Sequence, residues 1–332
     1  MLQFCSKKQN AMLKIKSLHF LLLLLAATAA SAQYTDVINS NRPGESMSGF
    51  SVGKTVIQVE TGAFAIQEKH RLLDTESTGV GMDLSLRWGL FLEQLEFNLE
   101  LQYQYDSYQT TLATTNRSAL RQTNIGAKYL IYDPYKNYEE KVNIYSWKAN
   151  HRFKWRQFIP AVGVYAGANL NFNNPYTFDT DPTISPKLML ITQNQFSGGF
   201  VVVSNIIADK VTTDYPSYGY ILTITKGINE KWSAFIENQG FKSDYYSDAI
   251  IRTGAAYLIR ENMQLDASIG FNLKDTPSLL TGGIGFSWRF DKNYDPILIR
   301  SGKNKSADKD KKSKKSKKSK EKAAKESETP KP

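Results

Sequence analysis

The chain has one cysteine, three histidines and, after Ala32, no uninterrupted apolar run of the roughly 18 residues that a membrane helix requires. These shortages exclude a helical membrane protein. Because Cys5 lies in a stretch that reads as removable, they also exclude a disulfide scaffold and a lipid-carrying thiol in the mature protein. Acids are scarce at both ends: residues 1–32 hold four lysines and no acid, and Ser301 to Pro332 holds thirteen lysines against five acids. With the whole chain at +10, ends of +4 and +8 leave about −2 for residues 33–300. The high pI therefore belongs to the termini, and no nucleic-acid partner is expected from it.

Near the amino terminus, Lys14 and Lys16 precede the apolar run Leu18 to Ala27 and the small residues Ala30-Ser31-Ala32. This is the pattern of a secretory signal peptide over residues 1–32, with cleavage before Gln33. The run is too short to span a bilayer core of about 30 Å.

The exported body is rich in Tyr, Phe, Gly and Asn and alternates with period two. Leu95, Phe97, Leu99, Leu101, Tyr103 and Tyr105 fall on one face of a strand, and Glu96, Asn98, Glu100, Gln102 and Gln104 on the other. Met82, Leu84, Leu86 and Trp88 oppose Asp83, Ser85 and Arg87 in the same way. A soluble antiparallel sandwich shares such alternation. Strands of about 9–12 residues, the length a tilted strand needs to cross a bilayer, with aromatics at their ends, point instead to a membrane barrel.

The fold class is all-β: a single antiparallel transmembrane β-barrel of about 12 strands, near 54–66, 79–89, 93–105, 120–132, 157–172, 186–193, 198–207, 218–227, 231–240, 249–259, 263–272 and 281–290. The domains are a signal peptide (1–32), an amino-terminal periplasmic or lumenal segment (33–53), the barrel (54–290) and a Lys-rich tail (291–332). The last strand places Ile284, Phe286, Trp288 and Phe290 outward, an aromatic ending of the kind read by bacterial barrel-assembly machinery, which is the expected partner in biogenesis.

The stretch NSNRPGESMSGFSVGKTVIQVETGAF resembles the amino-terminal signature of the MetA-pathway phenol-degradation family of outer-membrane transporters. In that signature an Arg-Pro segment with nearby acidic and Ser/Thr residues precedes a first strand rich in Gln, Glu and Gly. YGYILTITKGINEKWSAFIENQGF and TGAAYLIRENMQLDASIGFNL resemble its later hairpins, and GGIGFSWRF its ending; the resemblance covers about residues 38–290. It implies a barrel associated with transport and singles out Arg42, Pro43 and Glu45 as the amino-terminal motif. Where members often read Asp-Arg-Pro-Asp, this chain has Asn41-Arg42-Pro43-Gly44.

An even barrel puts both termini in the periplasm of a Gram-negative cell, with short turns on that side and longer loops outside. Short turns are expected around Leu90-Phe91, Asn194 to Ser197, Asn229-Glu230 and Arg260 to Asn262, and longer outer loops at 67–78, 106–119, 173–185, 208–217, 241–248 and 273–280. The connection Asp133 to Arg156 breaks the rule, being long, basic and aromatic. The polar faces place Glu60, Asp83, Glu96, Glu100, Glu237 and Asp266 in the lumen with Arg87, Lys128, Arg252 and Arg289. Both signs occur, so neighbours can neutralise one another, and Gln33 to Gly53 is available to occupy or cap the periplasmic mouth.

Catalytic signals are thin. His70 and His151, the histidines beyond the signal peptide, fall at opposite ends of this topology, too far apart for a triad or a metal pair. VGKT at Val52 to Thr55 would need Gly at position 48 to be a phosphate loop, and Ser48 stands there. No enzyme activity and no cofactor are expected.

Two functions fit. One is a transporter or channel for small, including apolar, solutes. The other is a non-conducting accessory barrel that docks peptidoglycan or a periplasmic protein complex through the insert 133–156 and the tail. The insert offers Tyr145, Trp147, Phe153 and Trp155 as anchors; the tail repeats Lys-Lys-Ser through Lys311, Lys312, Lys314, Lys315, Lys317 and Lys318. With almost no apolar residues the tail is expected to be disordered, and each lysine near an anionic surface adds up to about 1 kcal/mol of attraction.

Overall fold

A computed structural model of the chain describes residues 37–136, 145, 155–172, 174–178 and 181–291. Twelve strands follow in order: β1 (Ile57–His70), β2 (Thr75–Gly89), β3 (Leu95–Gln109), β4 (Thr114–Tyr132), β5 (Ala161–Leu170), β6 (Ile184–Phe196), β7 (Phe200–Asp209), β8 (Ser217–Gly227), β9 (Trp232–Lys242), β10 (Ser247–Arg260), β11 (Met263–Asn272) and β12 (Ser278–Phe290). Each pairs antiparallel with its successor, and β12 pairs with β1, so the sheet closes and no edge is left unpaired. The signal peptide, Trp147, Phe153 and the lysine repeat Lys311 to Lys318 lie outside the described residues.

Alternation decides which way each side chain points. Val80, Met82, Ile206, Ile236, Ile269 and Ile284 point outward, each more than half exposed, while Gln58, Glu60, Arg87, Glu96, Asn124 and Lys128 point inward and are buried. An apolar belt of this extent around a polar interior is the inverse of a soluble protein and suits a barrel whose solvent is lipid. Aromatics rim the belt, with Trp88, Trp232, Trp288 and Phe290 near the end that carries the termini, and Tyr103, Tyr105, Tyr218 and Tyr220 toward the other.

The strands run further than hydropathy marks them. Connections at the end opposite the termini are 71–74, 110–113, 210–216, 243–246 and 273–277, shorter than expected; only 171–183 is long. The cause is visible at β1 and β2, where Gln67 pairs with Thr78 and Lys69 with Glu76 in the ladder. Gln67 donates to Glu76 at 3.0 Å, and Lys69 approaches the same carboxylate at 3.1 Å. Backbone pairing continues past the lipid boundary, but both faces there meet water, so the alternation fades.

At the terminal end the connections are 90–94, 197–199, 228–231 and 261–262, together with the long 133–160. Gly198 and Gly199, with φ of 83° and 76°, make the tight turn between β6 and β7. The strand expected from 157 begins instead at Ala161, because Trp155–Phe158 winds into a single 3-10 turn.

Candidate functional site: a lumen filled by the amino-terminal segment

Residues 38–56 run inside the barrel, and the wall residues that the polar faces single out hold them. On β1 to β4, Arg87 is fully buried between Glu60 (3.2 Å) and Glu96 (2.8 Å), and Lys128 lies 3.2 Å from Glu96. Paired charges still have donors and acceptors to spare, and the segment's backbone takes them up. Arg87 donates to the carbonyls of Asn39 (2.7 Å) and Phe50 (3.3 Å), and Lys128 to those of Ser48 (3.0 Å) and Phe50 (2.9 Å). Glu60 accepts from the Ser40 hydroxyl and from the backbone N–H of Asn41 and Arg42; Glu96 accepts from that of Val52 at 2.9 Å. Ion pairs out of water are tolerable only when further hydrogen bonds complete them, and here a non-sheet piece of backbone completes them.

Arg42 has its own seat. Asp83, Gly62, Gly285 and Asp266 form one register row across β2, β1, β12 and β11. The guanidinium lies over the two glycines and pairs with the flanking aspartates. A methyl on Gly62 or Gly285 would overlap its nitrogens, so the seat exists only because both residues lack a side chain.

Across the lumen the partners change. Asn205 on β7 accepts from the Met47 N–H (2.6 Å) and donates to its carbonyl (2.9 Å). Gln193 on β6 accepts from the Gly49 N–H at 2.9 Å. Glu237 on β9 accepts from the N–H of Glu45 and Ser46, from Thr223 and from Arg252. Between these bonds the contact is apolar: Met47 packs with Tyr165, Met189 and Ile191, and Phe50 with Leu130, Ala161 and Tyr135.

Two cavities flank the segment. The outer one, about 460 Å³, opens toward the end opposite the termini; the inner, about 410 Å³, lies on the terminal side among Ile38, Phe50, Val203 and Phe235. Asn41, Arg42 and Gly44 line both, so this short stretch is the partition. Tyr176, from the long connection, closes part of the outer mouth, its hydroxyl on Asp106 at 3.0 Å. Burial, and then that bond to a carboxylate, pushes its phenol up to about 12.

A family model described as "Putative MetA-pathway of phenol degradation" matches residues 40–290, from the partition to the last residue of β12. The chain belongs to this family. Solved structures similar to this family member include the COG4313 outer membrane channel from Pseudomonas putida F1, at 12% identity and TM-score 0.47, covering 76% of this chain and 100% of that one. Others are the KdgM porin (11%, 0.40, 69% and 99%) and the CymD monoaromatic hydrocarbon channel (9%, 0.39, 71% and 89%). No curated protein matches the sequence.

Among the residues singled out from the sequence, Glu60, Asp83, Arg87, Glu96, Lys128, Glu237 and Asp266 all point inward and touch the segment. Arg252 sits 3.0 Å from Glu237 and 3.8 Å from Glu45; Arg289 pairs with Asp291 and donates to the Val37 carbonyl. Glu100 is lumenal but stands apart, accepting from Asn124 beside the outer cavity. Pro43 lines the inner cavity. Of the insert, Tyr145 and Trp155 are exposed, and Trp155 leans on Phe158 with ring centroids 6.0 Å apart. Sequence reasoning missed Gln58, Gln193 and Asn205, neutral residues whose role depends on which backbone atoms arrive opposite them. It also missed Arg121, which period two assigns to the outer face.

Proposed function

We propose that this protein is an outer-membrane channel for small solutes whose amino-terminal segment rests in the lumen as a plug, with both termini in the periplasm. The observation that carries the reading is the pair of cavities on either side of the segment, with Asn41, Arg42 and Gly44 lining both, since displacing the segment would join them into one path through the barrel. Each cavity falls within the range of about 300–1,000 Å³ usual for small-molecule sites. The even number of strands returns both ends of the barrel to one side of the membrane, which supports a shared periplasmic location for the termini.

The test is planar-bilayer recording of the full mature chain beside a variant lacking residues 37–53. The full chain should conduct little at rest and the deletion should open in large steps. Equal conductance in the two would remove the plug from the mechanism.

One observation favours a second reading, a non-conducting accessory barrel. The plug's backbone is bonded by wall residues on β1 to β4 and on β6, β7 and β9, which is more than a loosely seated gate needs. Silence of the deletion variant would favour that reading. Salt-sensitive loss of wall fragments or periplasmic proteins on truncation after Ser301 would then place the docking in the tail.

A further inference from the structure

In the outer cavity several charges already have partners, ionic or neutral. Arg42 is held by Asp83 and Asp266, Lys210 lies 2.6 Å from Asp181, and Glu60 is paired with Arg87. Glu100 accepts from the Asn124 amide, and Asp209 from the Asn169 amide and the N–H of Lys210. Among the described residues neither Arg121 nor Lys187, the two other cations lining the cavity, has a carboxylate within ion-pair distance, although Lys187 stands opposite Asp209 in the register of β6 and β7.

Arg121 is aimed there by a fault in the ladder. Gln102 pairs with Gln122 and Tyr103 with Leu120, so Arg121 is the extra residue of a β-bulge. A bulge lets two successive residues share a face, and both Arg121 and Gln122 line the cavity. The bulge is fixed from outside the strand, because the Asn174 amide donates to the carbonyls of both Leu120 and Arg121 at 2.9 Å. The guanidinium itself makes one hydrogen bond, Nη1 to the Gln104 side-chain oxygen at 2.9 Å. Its remaining N–H groups present the fork that matches a carboxylate.

Across the same cavity β6 to β9 contribute an apolar group, Met189, Ile207, Ile221 and Phe241, among polar neighbours such as Gln239. We propose that the outer cavity binds a small organic carboxylate, its anionic end on Arg121 with Lys187 as the second cation and its apolar body against Met189, Ile207 and Phe241. This deepens the channel reading, since it names the class of solute that the path would select. Arg121 has one neutral acceptor and no ion-pair partner among the described residues, and a carboxylate is the group that fills its remaining donors.

Equilibrium binding to the full mature chain in nanodiscs, by calorimetry or saturation-transfer NMR, tests this with benzoate, its neutral counterpart benzyl alcohol, and acetate. Benzoate should bind at least tenfold more tightly than either. Arg121→Gln should lose at least tenfold for benzoate and leave benzyl alcohol unchanged, and Arg121→Lys should recover part of the loss. Equal binding of benzoate and benzyl alcohol by the parent protein overturns the proposal with no variant needed, as does Arg121→Gln binding benzoate like the parent. Acetate binding as well as benzoate would overturn the role of the apolar wall. No flux is measured, so a barrel that never conducts can still bear out the site, and a conducting barrel indifferent to Arg121 sinks the site alone.

Discussion

Across β1 to β4 the plug's carbonyls and amides meet ionised side chains, Arg87, Lys128, Glu60 and Glu96, whereas across β5 to β7 they meet the neutral amides of Gln193 and Asn205, and the Met47 side chain packs on Tyr165, Met189 and Ile191. The two walls hold the same segment by different physics. Charged hydrogen bonds are directional and fail when a donor shifts by about an ångström, so the first wall sets where the plug sits. Apolar contact is non-directional and scales with area, so the packing of Met47 on the second wall adds adhesion, with two neutral amides as its weaker directional contacts. Charge-assisted positioning is thus concentrated on one side of the lumen and the Met47 packing on the other.

The sharpest way to break this contrast is Arg87→Ala. It leaves Glu60 and Glu96 buried without their shared cation and removes donors to Asn39 and Phe50. The expected cost is about 3–5 kcal/mol in urea-unfolding free energy. The barrel need not open for the plug to loosen. A Ser48→Cys substitution introduces a thiol where residues 33–332 have none, and that thiol should react with a maleimide when combined with Arg87→Ala and stay protected in the otherwise unaltered protein.

Ile191→Ala on the other wall should cost nearly as much, about 2–4 kcal/mol, by leaving a cavity against Met47. The thiol introduced by Ser48→Cys should remain protected here, because the directional bonds survive. Equal labelling in the two backgrounds would erase the distinction between the walls.

Gly62→Ala acts on the seat of Arg42. A forced methyl should cost about 1–3 kcal/mol and raise open probability in bilayer recordings; an unchanged trace would show that the guanidinium can lie elsewhere. Asn205→Leu is the mildest, removing two bonds to Met47 for about 1–2 kcal/mol, read as a small fall in the unfolding midpoint with no gain in labelling of the position-48 thiol.

Most of the barrel is legible in the sequence because lipid and lumen impose opposite demands on alternate residues, and β3 obeys them along its membrane span. The strand ends are not, since Gln67, Lys69 and Glu76 pair in water, where nothing constrains their polarity. The charged lumen residues can be read as inward, but their purpose cannot. That Glu60 binds the Asn41 and Arg42 amides depends on how residues 38–56 thread the interior, and no periodicity encodes that path. Arg121 is hidden for a local reason: one extra residue in β4 reverses the face on which it falls.

The row on which Arg42 rests includes the first and last strands, and this bears on how the protein is made. Gly62 on β1 faces Gly285 on β12, and the two aspartates stand on the strands just behind them, so both carboxylates come within reach of the guanidinium only once the chain's two ends have met. Residue 42 is synthesised before any strand, yet its binding site is completed by the last. The arginine therefore works as a clasp across the closing joint of the sheet. A nascent barrel that zipped shut with its amino-terminal segment left outside would forgo both charge-assisted pairings of Arg42, with Asp83 and with Asp266, so the threaded product is favoured at the step where the joint becomes permanent.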